Sequence, residues 1–154
     1  MKKLALSFGV AGLLGLFGCA SQEQPSEVLH FPEPSQKLTI RETGKSFSLE
    51  EGQYAQLSLK ENPSTGYSWF FKLDDGKSAN NSRTDSAIKI VGERLLPPQS
   101  DLAGAPTVRE VMIKALRPGT ATLIGECVRP WEKDKEPAIS VRYDFRVSLK
   151  TILK

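Results

Sequence analysis

The chain has 154 residues, 39% of them hydrophobic and 25% charged, with a formal net charge of +3. That length suits one domain with one substantial core. Part of the positive charge sits on Lys2 and Lys3, in a segment that reads as removable, so no electrostatic footprint for nucleic acid remains; two cysteines, one of them at the end of that segment, exclude a disulfide framework, no metal-ligand cluster is seen in the sequence, and no cofactor is implied.

Lys2 and Lys3 precede an apolar run from Leu4 to Phe17, interrupted only by Ser7. The run is too short for a comfortable membrane span and has the layout of an export signal. Its end, Leu16-Phe17-Gly18-Cys19, resembles the lipobox of bacterial lipoproteins, although Phe17 is larger than the residue usual there. The resemblance implies a signal over 1–18, cleavage before Cys19 and diacylglycerol on the Cys19 thiol. The protein would then be exported and held at a lipid bilayer. An ordinary signal peptide with an incidental cysteine is the plainer alternative. Ala20, where Asp often marks inner-membrane retention in that family, favours the outer membrane if the host is Gram-negative. The stretch over 19–36 carries Pro25, Pro32 and Pro34 and reads as an extended tether, with His30 a solvated side chain on it.

A single monomeric domain is expected over 37–154, and its pattern is that of strands. Leu38-Thr39-Ile40 begins an edge strand, Thr43-Gly44-Lys45 turns, Ser46 to Leu49 alternates, and Glu50-Glu51-Gly52 turns again. Tyr54 to Lys60 points Ala55, Leu57 and Leu59 one way. Tyr67, Trp69, Phe71 and Leu73 share one parity, which places Trp69 in the core. Asp74 to Ser86 is polar and reads as a long loop; Ala87 to Leu96 reads as a strand ended by Pro97-Pro98. Thr107 to Leu116 points Val111, Ile113 and Ala115 inward against Glu110, Met112 and Lys114. Arg117-Pro118-Gly119-Thr120 is a turn and Ala121 to Val128 a strand. Cys127 shares the parity of Ala121, Leu123 and Gly125 and reads as a small buried hydrophobe; a reactive thiol helped by nearby Arg129 is the alternative. In the last strand Val141, Tyr143, Phe145, Val147 and Leu149 face one way and Arg142, Asp144, Arg146, Ser148 and Lys150 the other, so a one-residue slip would bury charge. No segment sustains a helical period. The sum is an all-β, immunoglobulin-like antiparallel β-sandwich.

Three segments interrupt these strands at alternate connections, which an antiparallel layout returns to one end: Asn62-Pro63-Ser64-Thr65-Gly66-Tyr67, Asp101-Leu102-Ala103-Gly104-Ala105-Pro106 and Arg129-Pro130-Trp131-Glu132. The first has turn chemistry throughout and is, on composition, either a plain connection or a stiffened loop with Ser64 and Thr65 at its tip, suited to a narrow cleft. Trp131 is either a lid folded on the core or an exposed indole beside Arg129 and Pro130, the composition of an interface anchor.

Asn62-Pro63-Ser64-Thr65-Gly66-Tyr67-Ser68-Trp69 resembles the first loop of the chagasin-type inhibitors of papain-like cysteine proteases, and Arg129-Pro130-Trp131-Glu132 resembles their third. The second loop departs from their Gly-x-Gly-Gly pattern, with Leu102-Ala103-Gly104-Ala105-Pro106 here. The resemblance implies a reversible, competitive, non-covalent inhibitor whose loops fill a protease cleft. Pro63, Ser64, Thr65 and Gly66 would lie over the catalytic pair. Ala103, Gly104, Ala105 and Pro106 would lie along the non-primed side, and Arg129, Pro130 and Trp131 over the primed side. The rival reading is a non-inhibitory envelope lipoprotein that binds through the same loops. An enzyme is disfavoured, because the domain lacks a histidine to serve as the base for a Ser or Cys nucleophile.

Overall fold

A computed structural model describes residues 30–74, 86–98, 100, 102, 104–132 and 134–151. They form eight strands: β1 (Gln36–Thr39), β2 (Ser46–Glu50), β3 (Tyr54–Glu61), β4 (Ser68–Asp74), β5 (Ile88–Leu96), β6 (Thr107–Ala115), β7 (Gly119–Val128) and β8 (Ile139–Ser148). One sheet is ordered β1-β3-β6-β5 and the other β2-β8-β7-β4, and together they make an immunoglobulin-like sandwich. Among the described residues there is no α-helix, as the absence of a helical period predicts.

The central pairings are antiparallel, but β1 lies parallel to β3 and β2 parallel to β8. The chain reverses between β1 and β2 through the 3-10 turn Ile40–Glu42, and the two arms join different sheets. Each arm therefore runs alongside a strand of its own direction. This straddling start is what an alternation pattern cannot reveal, because both arms still alternate.

The inward parities pack as the sequence predicts. Ala55, Leu57, Leu59, Trp69, Val111, Ile113, Ala115, Leu123, Val141, Tyr143, Phe145 and Val147 are buried between the sheets. Tyr67, Phe71 and Leu73 are partly buried against that cluster. Leu149 departs from its expected place: it lies beyond the end of β8 and is exposed. Most of the loop expected over Asp74 to Ser86 lies outside the described residues.

Tyr143 ties the layers together. Its ring is buried, and its hydroxyl donates to the Thr39 carbonyl at 2.9 Å, joining β8 of one sheet to β1 of the other. Burial, assisted by the charge of Glu42, pushes the Tyr143 pKa up to about 12. The protonated phenol is thus the form the fold prefers. Its contribution is complete below the ordinary phenol pKa of about 10 and is lost as pH rises through the folded value. Tyr143→Phe should cost about 1 kcal/mol at neutral pH and flatten the alkaline decline in stability, read from urea melts between neutral and strongly alkaline pH. An unchanged alkaline decline would show that another group causes it.

The outer face of the β1-β3-β6-β5 sheet corrects two expectations. Glu110 and Met112, predicted to face solvent, are both buried. Glu110 accepts hydrogen bonds from Gln56 Nε2 at 2.6 Å and Arg94 Nε at 2.7 Å. The Phe31 ring lies 4.3 Å from the Arg94 guanidinium, and the Ser35 amide donates to the Tyr54 carbonyl at 2.8 Å. Within the described part of the expected tether, Phe31, Pro32 and Pro34 are therefore half-buried on the domain, while His30, Glu33 and Ser35 are exposed, His30 as expected. Cation–π contact and a paired carboxylate make this a built surface, which one-face alternation had no means of indicating.

Candidate functional site

Three connections meet at one end of the sandwich. The β3–β4 loop crosses from one sheet to the other, whereas the β5–β6 and β7–β8 loops are hairpins, one within each sheet. The crossing loop therefore lies between the two hairpins. This places 62–67, 104–106 with Leu102, and 129–132 side by side, as the alternate-connection argument predicts; Asp101 and Ala103 lie outside the described residues.

The first loop is a turn of 3-10 helix, Pro63–Thr65, whose start and stop are written in its sequence. Asn62 is the N-cap, Pro63 supplies a preset φ where no N–H is needed, and Gly66 ends the turn at φ 77°. Asn62 Oδ1 accepts from the Ser64 amide at 3.2 Å and from Ser64 Oγ at 2.6 Å. The Thr65 hydroxyl donates to the Asn62 carbonyl at 2.7 Å. Pro63, Ser64 and Thr65 are exposed at the tip as expected, but both hydroxyl protons are used inside the loop. The tip offers hydroxyl oxygens and methyl surface on a stiff backbone rather than free donors.

Both neighbours are fastened to this loop. On one side Asn62 Nδ2 donates to the Gly104 carbonyl at 3.1 Å, and the second loop is itself closed by a bond of 3.0 Å from the Ala105 amide to the Leu102 carbonyl. On the other side Arg129 Nε donates to the Thr65 carbonyl at 3.1 Å. The Arg129 guanidinium lies 4.5 Å from the centre of the Tyr67 ring and pairs with Glu132 at 3.3 Å. Lys135 and Arg129 together hold the Glu132 carboxyl below the usual carboxylate range, the Lys135 hydrogen bond contributing most.

Trp131 combines the two readings left open by its sequence. Its indole is 66% exposed, yet it rests on the first loop: a Cβ built on Gly66 would overlap Cη2 and lie 2.8 Å from Cζ2. The ring is thus held by a neighbour that only glycine permits, with its free face turned to solvent. Trp69, by contrast, is core, and its Nε1 donates to the Lys60 carbonyl at 2.9 Å across the base of the loop. Cys127 is buried in the cluster, and burial, with the nearby Glu61 charge, pushes its thiol pKa up. That is the environment of an inert structural cysteine rather than a nucleophile.

Beneath the loops lies a pair that the site reading omitted. Glu61, at the end of β3, has a side chain only 2% exposed and is gripped by Arg109 of β6, Nε to Oε2 at 2.5 Å and Nη2 to Oε1 at 3.0 Å. The Trp69 amide and the Ser68 hydroxyl also help to hold this carboxyl below the ordinary carboxylate range. The pair thereby ties the end of β3 to β6 next to Asn62. The signal was present: Glu61 continues the inward parity of Leu57 and Leu59, and Arg109 that of Val111 and Ile113. Two opposite charges on inward parities of adjacent strands predict a buried pair.

Comparison with known proteins agrees with this architecture. The sequence model of the chagasin family of peptidase inhibitors I42 matches residues 48–147. Amoebiasin-2 of Entamoeba histolytica is 33% identical over 106 residues, covering 69% of this chain and 80% of the relative. Chagasin of Trypanosoma cruzi is 28% identical over 97 residues, covering 63% and 84%. Among solved structures, a cysteine protease inhibitor from Entamoeba histolytica aligns with a TM-score of 0.60 at 27% identity, covering 75% of this chain and 100% of the other. The solution structure of amebosin aligns at 0.54 with 18% identity over the same shares, a likeness of fold.

Proposed function

The chain belongs to the chagasin family of peptidase inhibitors, and we propose that it is a reversible, competitive, non-covalent inhibitor of papain-like cysteine proteases that closes the catalytic cleft with its three-loop edge. The observation that carries this reading is the mutual fastening of the loops through Asn62, Gly66 and Arg129. Most of the ordering that binding would otherwise demand is complete in the free protein, which leaves more of the contact energy as affinity.

The same bonds account for resistance to cleavage. A protease must polarise a substrate carbonyl and approach its carbon. The carbonyls of Asn62, Pro63 and Thr65 are instead occupied by the Thr65 amide, the Gly66 amide and the Arg129 guanidinium. A peptide bond whose oxygen is bound within the inhibitor cannot turn into an oxyanion site. At these three positions the loop therefore occupies the cleft without presenting a reactive carbonyl, and no covalent step is involved.

Trp131→Ala should weaken inhibition of papain about 30-fold, a loss of about 2 kcal/mol, with little change in melting temperature because most of the ring is solvated. Progress curves with the purified protein and its Trp131→Ala and Thr65→Ala variants read this directly. A folded wild-type protein that leaves papain fully active at micromolar concentration would instead support an envelope-binding module.

We infer further that the protein is exported and anchored through lipid on Cys19. What supports this is the sequence of Lys2, Lys3 and the apolar run ending in Gly18-Cys19, which lies outside the described residues. A membrane-held inhibitor would act on proteases that reach the envelope.

A further inference from the structure

The two outer faces of the sandwich differ in charge. On the β2-β8-β7-β4 side Lys72 pairs with Glu126 at 2.7 Å and Arg142 with Asp144 at 3.0 Å, and Glu50 and Asp74 offset Arg146. The outward positions of the β1-β3-β6-β5 sheet instead hold Lys37, Lys60, Lys89, Arg94 and Lys114 against Glu110 alone, and Glu110 is buried and committed to Arg94. Lys89 and Lys114 stand directly opposite each other in register. Like charges so placed cost stability. Among the described residues neither has a carboxylate partner; Lys114 meets only the Tyr54 ring, 5.5 Å away. Lys60 is exposed and likewise unpaired, and Lys37 has only the exposed Glu33 at 3.9 Å. The same face receives the N-terminal chain. Ser35 is bonded to Tyr54 of β3 and Phe31 lies on Arg94 of β5, so the chain toward Cys19 leaves from this face at His30.

We propose that the outer face of the β1-β3-β6-β5 sheet is a docking surface for the bilayer, held there by anionic lipid headgroups. This rests on the lipid-anchor reading of Cys19 above. Cys19 precedes His30 by eleven residues, a reach of at most about 40 Å. An anchored domain is therefore kept close to the bilayer, and a weak attraction acts as an intramolecular contact. Each lysine of the face gains near an anionic surface, and the gain fades within a Debye length. Headgroup phosphates supply the counter-charge that the fold omits beside Lys89 and Lys114. Docking by this face lays the strands along the bilayer. The three-loop edge, at the strand ends, then opens sideways and stays free to meet a protease.

The test uses the full chain, produced in a bacterial host, purified in detergent and reconstituted into vesicles of phosphatidylcholine, alone or with about one third phosphatidylglycerol. Mass spectrometry reads lipid on Cys19 and the rate at which an impermeant amine reagent labels each lysine. With anionic lipid, Lys60 and Lys89 should be labelled roughly threefold or more slowly than on neutral lipid, and about 1 M salt should abolish the difference. Lys72, on the opposite face, should be labelled equally on both. Lys89→Glu places opposite charge across from Lys114 and should hold or raise the melting temperature. It should nevertheless restore at least half of the lost labelling rate at Lys60 and leave papain inhibition as in wild type. Equal labelling of Lys60 and Lys89 on the two lipids, with lipid present on Cys19, overturns the docking face and leaves the anchor reading standing. Slowing of Lys72 together with Lys60 means contact without a preferred face and overturns it as well. A Cys19 thiol without lipid sinks the anchor reading, and the docking face falls with it.

Discussion

Arg109→Ala should lower the unfolding free energy by about 3–5 kcal/mol and the melting temperature by about 10–20 °C. The cost comes from what is left behind rather than from the guanidinium itself. Glu61 remains buried under the first loop with its two best donors gone. Burial pushes the Glu61 carboxyl up, but the hydrogen bonds and charge of Arg109, with the Trp69 amide and Ser68 hydroxyl, outweigh it and hold the group below the ordinary carboxylate range. A group so lowered contributes stability that is complete above its unfolded pKa and is lost as pH falls through its folded pKa. In the variant the main opposing influence is absent, so the charged carboxylate becomes the costly form. The deficit relative to wild type should be largest at neutral pH and shrink in acid, where the carboxyl is neutral. Replacing both partners, Glu61→Leu with Arg109→Met, removes the buried charge and should restore much of the stability. A loss below about 1 kcal/mol that does not vary with pH would show that the pair behaves as an exposed one.

That pair also marks where the sequence stops being informative. Strand parity placed Val111, Ile113, Tyr143 and Phe145 in the core and the three loops at one end, because burial of one face and antiparallel connection are both short-range rules. Parity also held the clue to Glu61 and Arg109, since charges on inward positions need partners. The burial of Glu110 and Met112 was not legible: for Glu110 it belongs to a second, outer layer of packing where Arg94 meets both its carboxylate and the Phe31 ring, far apart in sequence. The same holds within the site. Residue types announced Asn62 and Pro63 as turn formers. That the Asn62 amide reaches Gly104, and that Arg129 reaches the Thr65 carbonyl, follows only from how the crossing loop lies between two hairpins.

Gly66→Ala should weaken protease inhibition about a hundredfold or more, corresponding to about 3 kcal/mol, although it adds a single methyl group. Two costs coincide at this position. The backbone is at φ 77°, where an alanine is strained by about 1 kcal/mol. The added methyl would also occupy the space of the Trp131 ring, meeting Cη2 and lying 2.8 Å from Cζ2. Neither conflict can relax alone. Moving the indole removes the third-loop anchor from its seat, while turning the backbone of residue 66 breaks the hydrogen bond that its N–H donates to the Pro63 carbonyl and opens the first loop. Global stability should change much less than inhibition, because Gly66 is only partly buried and the atoms nearest to an added methyl are those of the exposed Trp131. Pairing Gly66→Ala with Trp131→Ala separates the contributions. With the ring gone the methyl has room, so the double variant should inhibit less weakly than the two single losses added together would give. Strict additivity, or full inhibition by Gly66→Ala, would mean that the indole is not held by the first loop in solution, and the pre-organised edge would have to be abandoned.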